Sequence, residues 1–215
     1  MTKYPSGFEI KDIKCVILDF DNTMYYSTSI RTAHLSYLKL ALTSLGRHSN
    51  EHADTLMQAV GFTHGNPHLP AFSANLDTFG ITKQQWLDFT AKNFYTLDPE
   101  IIQTIPNEYY HKLAKRYPLY IVTNEYKDNI IKKAKLYNID LSPFKLYCSA
   151  SAGDSPSKKQ IYSEIIADLN ISPHNTLSIG DRLKVDIDPL LELGGKGILV
   201  RNTDELKAAL DELLV

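Results

Sequence analysis

The sequence predicts an α/β protein, a doubly wound parallel sheet interrupted after its first strand by an all-helical insert. Three observations predict it. From residue 119 onward, short apolar runs rich in β-formers alternate four times with helical patterns. Such alternation gives a parallel sheet with helices on both faces. One further apolar run, Ile13 to Phe20, stands alone near the start, and the stretch between, about Tyr26 to Leu97, is patterned for helices only. The economical division is a core of residues 1–25 and 99–215, with residues 26–98 inserted.

Each element has its own signal. Val16, Ile17 and Leu18 mark the first run as a buried strand. Ile30, Ala33, Tyr37, Leu38, Ala41, Leu42 and Leu45 fall on one face of a helix that Gly46 ends. A second helix spans Glu51 to Val60, stopped by Gly61, and Phe62 to Ser73 reads as a loop through Gly65, Pro67 and Pro70. Thr82 followed by Gln85 is a capping box opening a helix through about Phe94. Asp98-Pro99 has the form of a helix start, and Asn107 to Arg116 forms another helix.

The alternating part follows. Its strands are Leu119 to Thr123, Lys145 to Cys148, Thr176 to Ile179 and Ile198 to Val200. Its helices are Tyr126 to Tyr137, with Ile130, Ile131, Ala134 and Tyr137 in register, and Ser157 to Leu169, striped by Ile161, Ile165, Ile166 and Leu169. Asp188-Pro189 opens a helix that Gly194 closes, and Thr203 caps the last one, with Asp204 and Glu205 near its positive end.

Composition limits the function. The 215 residues include 23 basic and 25 acidic side chains, so no basic surface points to a nucleic-acid partner. No run reaches the roughly 18 apolar residues of a membrane span, and Met1 to Ile10 lacks a signal peptide's apolar stretch. A cytoplasmic protein, monomer or homodimer, is expected. Cys15 and Cys148 sit in strand-like runs and read as small buried side chains in a reducing compartment.

Ligands of a doubly wound sheet bind outside the carboxyl ends of its strands. At those ends stand Asp19, Asp21, Asn22 and Thr23, then Thr123 and Asn124, then Gly180 and Asp181, with Asp186 five residues on. Carboxylates gathered there repel one another. A hard divalent cation resolves the conflict, and Mg²⁺ is held by one or two carboxylates plus substrate phosphate. Asp19 and Asp181 are the candidate ligands, with Asp186 steadying the metal's waters or the adjacent loop. Thr123 offers a hydroxyl, and the chain after Asn124 turns into a helix N-terminus that suits an anion. Ser157 and Gln160 form another capping box, placing Lys158 in a first helical turn as a point charge for phosphate. Of Asp19 and Asp21, one carboxylate can attack phosphorus and the other can serve as acid and base. The set is one for phosphoryl transfer. Each residue also has a plainer reading: Asp at a strand end caps turns, Thr123 and Asp186 can be helix caps, and Lys158 can be a solvated lysine. His64 and His68 flank a loop, Trp86 reads as core of the insert, and Tyr25 and Tyr26 directly follow the first acidic pair.

Together these segments resemble the phosphatases of the haloacid dehalogenase superfamily. Four apolar residues then D-x-D-x-T match Val16 to Thr23, an apolar strand ending in Thr matches Leu119 to Thr123, and G-D-x(3–4)-D matches Gly180, Asp181 and Asp186, in the family's order. The resemblance covers about 140 residues and implies a Rossmann-like core. It implies Asp19 as nucleophile and metal ligand, Asp21 as acid/base lending its backbone carbonyl to the metal, Asp181 as second carboxylate ligand, and Thr123 with a lysine on phosphate. It implies a helical cap in the insert. Many relatives carry K-P-x-P before the helix, whereas here the residues are Ser155-Pro156-Ser157-Lys158-Lys159. Lys158 is the choice and Lys159 the reserve.

The expectation is a Mg²⁺-dependent hydrolase of a small phosphomonoester, a nucleotide or sugar phosphate. Asp21 to Tyr25 resembles nucleotidase-like members. The alternatives are a phosphomutase of the same family and a catalytically silent binding protein. A dehalogenase does not need Asp21, and a phosphonate hydrolase wants a Schiff-base lysine that nothing marks among Lys39, Lys83 and Lys92.

Overall fold

Val16, Ile17 and Leu18 are completely buried, as a strand with paired neighbours on both sides and helices on both faces requires. The computed structural model describes residues 1–61, 75–93, 97–148 and 156–215. The chain divides into two units, Met1–Ser27 with Pro99–Val215, and Thr28–Asp98.

In the first unit the strands are β1 (Thr2–Tyr4), β2 (Cys15–Leu18), β3 (Tyr25–Tyr26), β4 (Gln103–Thr104), β5 (Leu119–Thr123), β6 (Phe144–Cys148), β7 (Thr176–Gly180) and β8 (Lys196–Leu199). Six of them form one sheet in the order β1-β8-β7-β2-β5-β6, and β3 pairs with β4 apart from it. All pairings in the large sheet are parallel except β1 on β8. The mixed, mostly parallel sheet with its helices is the expected Rossmann-like α/β core. Strand β1 has no counterpart in the sequence reading, because three half-exposed residues at an edge carry too little apolar pattern to register.

The order positions a site. Strand β2 leads on to β5 at one side, while its other neighbour β7 leads on to β8, further out on the opposite side. The connections diverge between β2 and β7, and ligands of such sheets bind outside the carboxyl ends where the connections part. Side chains alternate along β2. Cys15 and Ile17 pack with Tyr120, Val122, Ile161, Tyr162 and Ile165 on one face of the sheet.

The helices of this unit are numbered after three in the inserted unit, α1 (Ile30–Leu45), α2 (Asn50–Ala59) and α3 (Lys83–Lys92). Leu38, Ala41 and Leu42 of α1 bury against Ala53, Met57, Phe79 and Phe89, with Trp86 packed half-buried beside them. Trp86 is therefore core of its own unit. The Thr82–Gln85 capping box forms. Gly46 ends α1 without a left-handed backbone, which Arg47 adopts instead. A Cβ at Gly46 would meet the His48 ring at 2.5 Å, so the glycine supplies space for that ring. The loop expected over Phe62 to Ser73, with His64 and His68, lies outside the described residues, as does Phe94. Among the described residues, no helix is long and apolar enough to cross a membrane.

The core helices are α4 (Asn107–Ala114), α5 (Lys127–Leu136), α6 (Lys158–Asp168), α7 (Asp188–Leu191) and α8 (Thr203–Leu214). Three expectations need correction. Asp98-Pro99 opens only a short 3-10 turn, Pro99–Ile101, because the chain must extend at once to pair β4 with β3. Ile131 does not face the core: it is 47% exposed, and Lys133 is buried in its place. The cap of α8 is Asn202, whose Oδ1 accepts from the Glu205 N–H at 2.9 Å, while Thr203 starts the helix and donates its hydroxyl to Gln103. Asn202→Ala should therefore cost about 1 kcal/mol, a fall of roughly 2–4 °C in Tm. An unchanged melting curve would refute the cap.

Candidate active site

The last residue of β2 pairs with Ile179 of β7, and the Asp19 N–H donates to the Ile179 carbonyl at 2.9 Å. That bond carries the ladder one residue further and sets the Asp19 side chain beside the end of β7. Gly180 ends β7, and one π-type turn, Leu183–Ile187, follows. Such turns are often found at functional sites. This one folds Asp186 back under Gly180: a Cβ there would stand 2.4 Å from Cβ of Asp186. Gly180→Ala should therefore displace Asp186 and destabilise by about 1–3 kcal/mol. Chemical denaturation checks this, and a loss under 0.5 kcal/mol would contradict the packing.

Three carboxylates meet at these strand ends. Oxygen atoms of Asp19, Asp181 and Asp186 all lie within 4.8 Å of one another. Asp19 and Asp186 are buried. Lys158 enters from the first turn of α6, held by the Ser157–Gln160 capping box. Its Nζ donates to Oδ1 of Asp19 and to Oδ1 of Asp186, both at 2.7 Å. Oδ2 of Asp186 accepts from the Arg182 N–H at 2.9 Å. Ser178 and Tyr162 donate to the Asp186 carbonyl at 2.7 and 3.1 Å. Asp186 is thus fixed from every side. Lys159 lies outside the cluster, on an exposed pair with Glu192.

One lysine does not neutralise three acids. Burial, then the charge of Asp186, pushes the Asp19 carboxyl up to about 6 against the pull of Lys158 and Arg182. Burial and Asp186 likewise hold Asp181 well above the usual carboxylate range. Burial opposes the Lys158 charge, yet Asp186 and Asp19 outweigh it, so the ammonium stays charged. Among the described residues, Oδ1 of Asp181 is buried without a hydrogen-bond partner, and the one cation within ion-pair reach of it, Nε of Arg182, stands 3.9 Å away. A buried anionic oxygen left unpaired is costly. Oxygen donors only, an orphaned carboxylate oxygen and surplus negative charge fit a hard divalent ion.

Thr123 ends β5, level with Cys148 of β6. It is buried, and its Oγ1 accepts from the Glu125 N–H at 3.2 Å. Asn124 is exposed beside it.

Asp21 stands apart from the three clustered carboxylates. Asn22 takes a left-handed backbone, the strand has ended, and the Asp21 side chain turns toward α5. Its Oδ1 accepts from the Tyr25 hydroxyl and from Nζ of Lys133, the latter at 2.7 Å. Lys133 also donates to Oε2 of Glu125 at 3.3 Å. The sequence reading missed Lys133, Glu125 and Arg182. A signal for the first existed: Asn129 and Lys133 occupy the apolar stripe of α5 with Ile130 and Ala134, where a polar residue needs a buried partner. Tyr25 is buried and donates its hydroxyl to Asp21.

Over residues 13–194 the sequence matches the haloacid dehalogenase-like hydrolases. The chain belongs to that family. No curated protein gives a significant sequence match. Among solved structures, a HAD phosphatase from Thermococcus onnurineus is similar at 17% identity and TM-score 0.55, over 94% of this chain and 100% of its own. The HAD-hydrolase YfnB from Bacillus subtilis, bound to magnesium, is similar at 19% identity and TM-score 0.53, over 93% and 99%. A predicted phosphoglycolate phosphatase from Haemophilus somnus is similar at 19% identity and TM-score 0.53, over 90% and 88%. At these identities the likeness is one of fold.

Proposed function

We propose that this member of the family hydrolyses a small phosphomonoester with Mg²⁺, through an aspartyl-phosphate formed on Asp19. The observation that carries the reading is the meeting of Asp19, Asp181 and Asp186 around the orphaned Asp181 oxygen, with Lys158 between two of them.

Asp19, Asp181 and the backbone carbonyl of Asp21 would hold the ion, and Asp186 keeps Lys158 and the Arg182 loop in place. When bound, Mg²⁺ supplies positive charge that lets an anionic phosphate approach anionic carboxylates. Lys158 fixes the Asp19 carboxylate by its bond to Oδ1, and two of its three N–H donors are used among the described residues. The third is proposed for phosphate, with the Thr123 hydroxyl and the chain at Asn124. An Asp19 oxygen attacks phosphorus as the bond to the leaving oxygen breaks, and Asp21 gives that oxygen its proton. Asp21 then takes a proton from water as the water attacks phosphorus. The Asp19–phosphorus bond breaks and phosphate leaves. The helical unit, Thr28–Asp98, is the candidate for choosing the substrate.

Phosphate release over a panel of nucleotide and sugar phosphates tests the reading. Phosphoglycolate belongs in the panel because a similar structure bears that name. Release that EDTA abolishes and Mg²⁺ restores is expected. Activity indifferent to EDTA would overturn the metal assignment, and no release from any ester would favour a silent binding protein. Slow turnover stimulated by a sugar bisphosphate would mark a phosphomutase.

A further inference from the structure

Lys133 is fully buried, and its charged partner Asp21 lies 112 residues away in sequence. Burying an ammonium costs several kcal/mol unless it is paired and hydrogen-bonded. A methionine of similar length would fill the same space in α5 without that cost. The cation is placed where it meets two acids, Asp21 at 2.7 Å and Glu125 at 3.3 Å. Glu125 is itself held, since its Oε1 accepts from the Tyr126 N–H at 2.8 Å and from Asn129 at 3.0 Å. Glu125, Asn129 and Lys133 recur every fourth residue, so one side of the α5 start forms a rigid polar stripe. The stripe connects at both ends. The Glu125 N–H donates to Thr123, and Lys133 donates to Asp21, which Tyr25 also binds.

We propose that Lys133 is a positioning residue for Asp21. Resting on the phosphatase reading above, it locks the acid/base carboxyl in place and ties it to the Thr123 end of β5. Both donors converge on Oδ1 of Asp21. Without Lys133 the carboxyl keeps its chemistry but loses its aim.

A general acid matters most when the leaving group is poor. kcat/KM reports the steps up to alcohol release, so 4-nitrophenyl phosphate and a simple alkyl phosphate separate the roles. For Lys133→Met, kcat/KM on the alkyl ester should fall on the order of 100-fold, within the range of general acid catalysis. On 4-nitrophenyl phosphate it should change by less than about threefold. Lys133→Arg should recover part of the alkyl activity. Equal losses on both esters, or none on either, overturn the proposal. Should Lys133→Met not fold, Tyr25→Phe removes only the second donor to the same oxygen and should show the same dependence on the leaving group. Equal losses there overturn it as well. If the wild type releases phosphate from neither ester, the phosphatase reading itself fails. If the wild type is active and only this selectivity is missing, the inference alone falls.

Discussion

Asp19→Asn is expected to lower phosphate release on the order of 10⁴-fold or more while leaving the fold intact. An amide cannot carry the phosphoryl group in place of the carboxylate, so the loss should appear in kcat and not only in KM. The fold should survive because Lys158 keeps Asp186, 2.7 Å away, when Asp19 loses its charge. Replacing the carboxylate by an amide also removes both the burial of a charge and the repulsion from Asp186 that together raise the Asp19 carboxyl to about 6. The metal-free variant should therefore melt no lower than the wild type. Measured turnover within tenfold of wild type would end the case for Asp19 as nucleophile. A collapse in Tm together with activity would make the residue structural instead.

Mg²⁺ should stabilise the protein against heat, and the effect should depend on pH in one direction. The Asp19 carboxyl sits near 6 when folded and near about 4 when unfolded. The folded chain therefore holds the extra proton across that window. Its metal-free stability falls as pH rises from about 4 to about 6. The ion compensates above the window and competes with protons inside it. At a hundredfold excess over its Kd, Mg²⁺ contributes about 2.7 kcal/mol, roughly 5–10 °C for a chain of this size. The shift should be large at pH 7.5 and small at pH 5. Asp181→Asn removes the orphaned anionic oxygen and should abolish the shift at both. A shift that persists in Asp181→Asn, or grows toward acid pH, would contradict the proposed ligand set.

Why the sequence was readable where it was, and opaque elsewhere, follows from the physics of each residue. Strands β2 and β5 are buried on both faces and apolar but for the closing Thr123, and β7 is buried throughout with Leu177 and Ile179 at its centre, so the pattern is loud. The charged residues at their ends stand out against it, which made Asp19, Asp181 and Thr123 visible. Both capping boxes are local hydrogen-bond devices, and both form as the residue types suggest. Strand β1 and the β3–β4 pair are two or three residues long and owe their form to distant partners. No local pattern announces them. The same holds for Lys133. Its helix position said core and its charge said surface, and only Asp21, far along the chain, reconciles the two. Between Asn202 and Thr203 the residue types were equally suitable as caps. Gln103, about 100 residues back in the chain, takes the Thr203 hydroxyl, while Asn202 takes the Glu205 N–H.

The pairing of β3 with β4 sets Tyr26 opposite Gln103. Directly opposed residues of antiparallel strands have Cα atoms only about 5 Å apart. The main chain therefore leaves the core and re-enters it through one narrow doorway. A tight turn of a few residues could span that doorway. Asp19, Asp181, Asp186 and Lys158 all lie outside the 28–98 stretch, so a chain shortened there would keep every one of them.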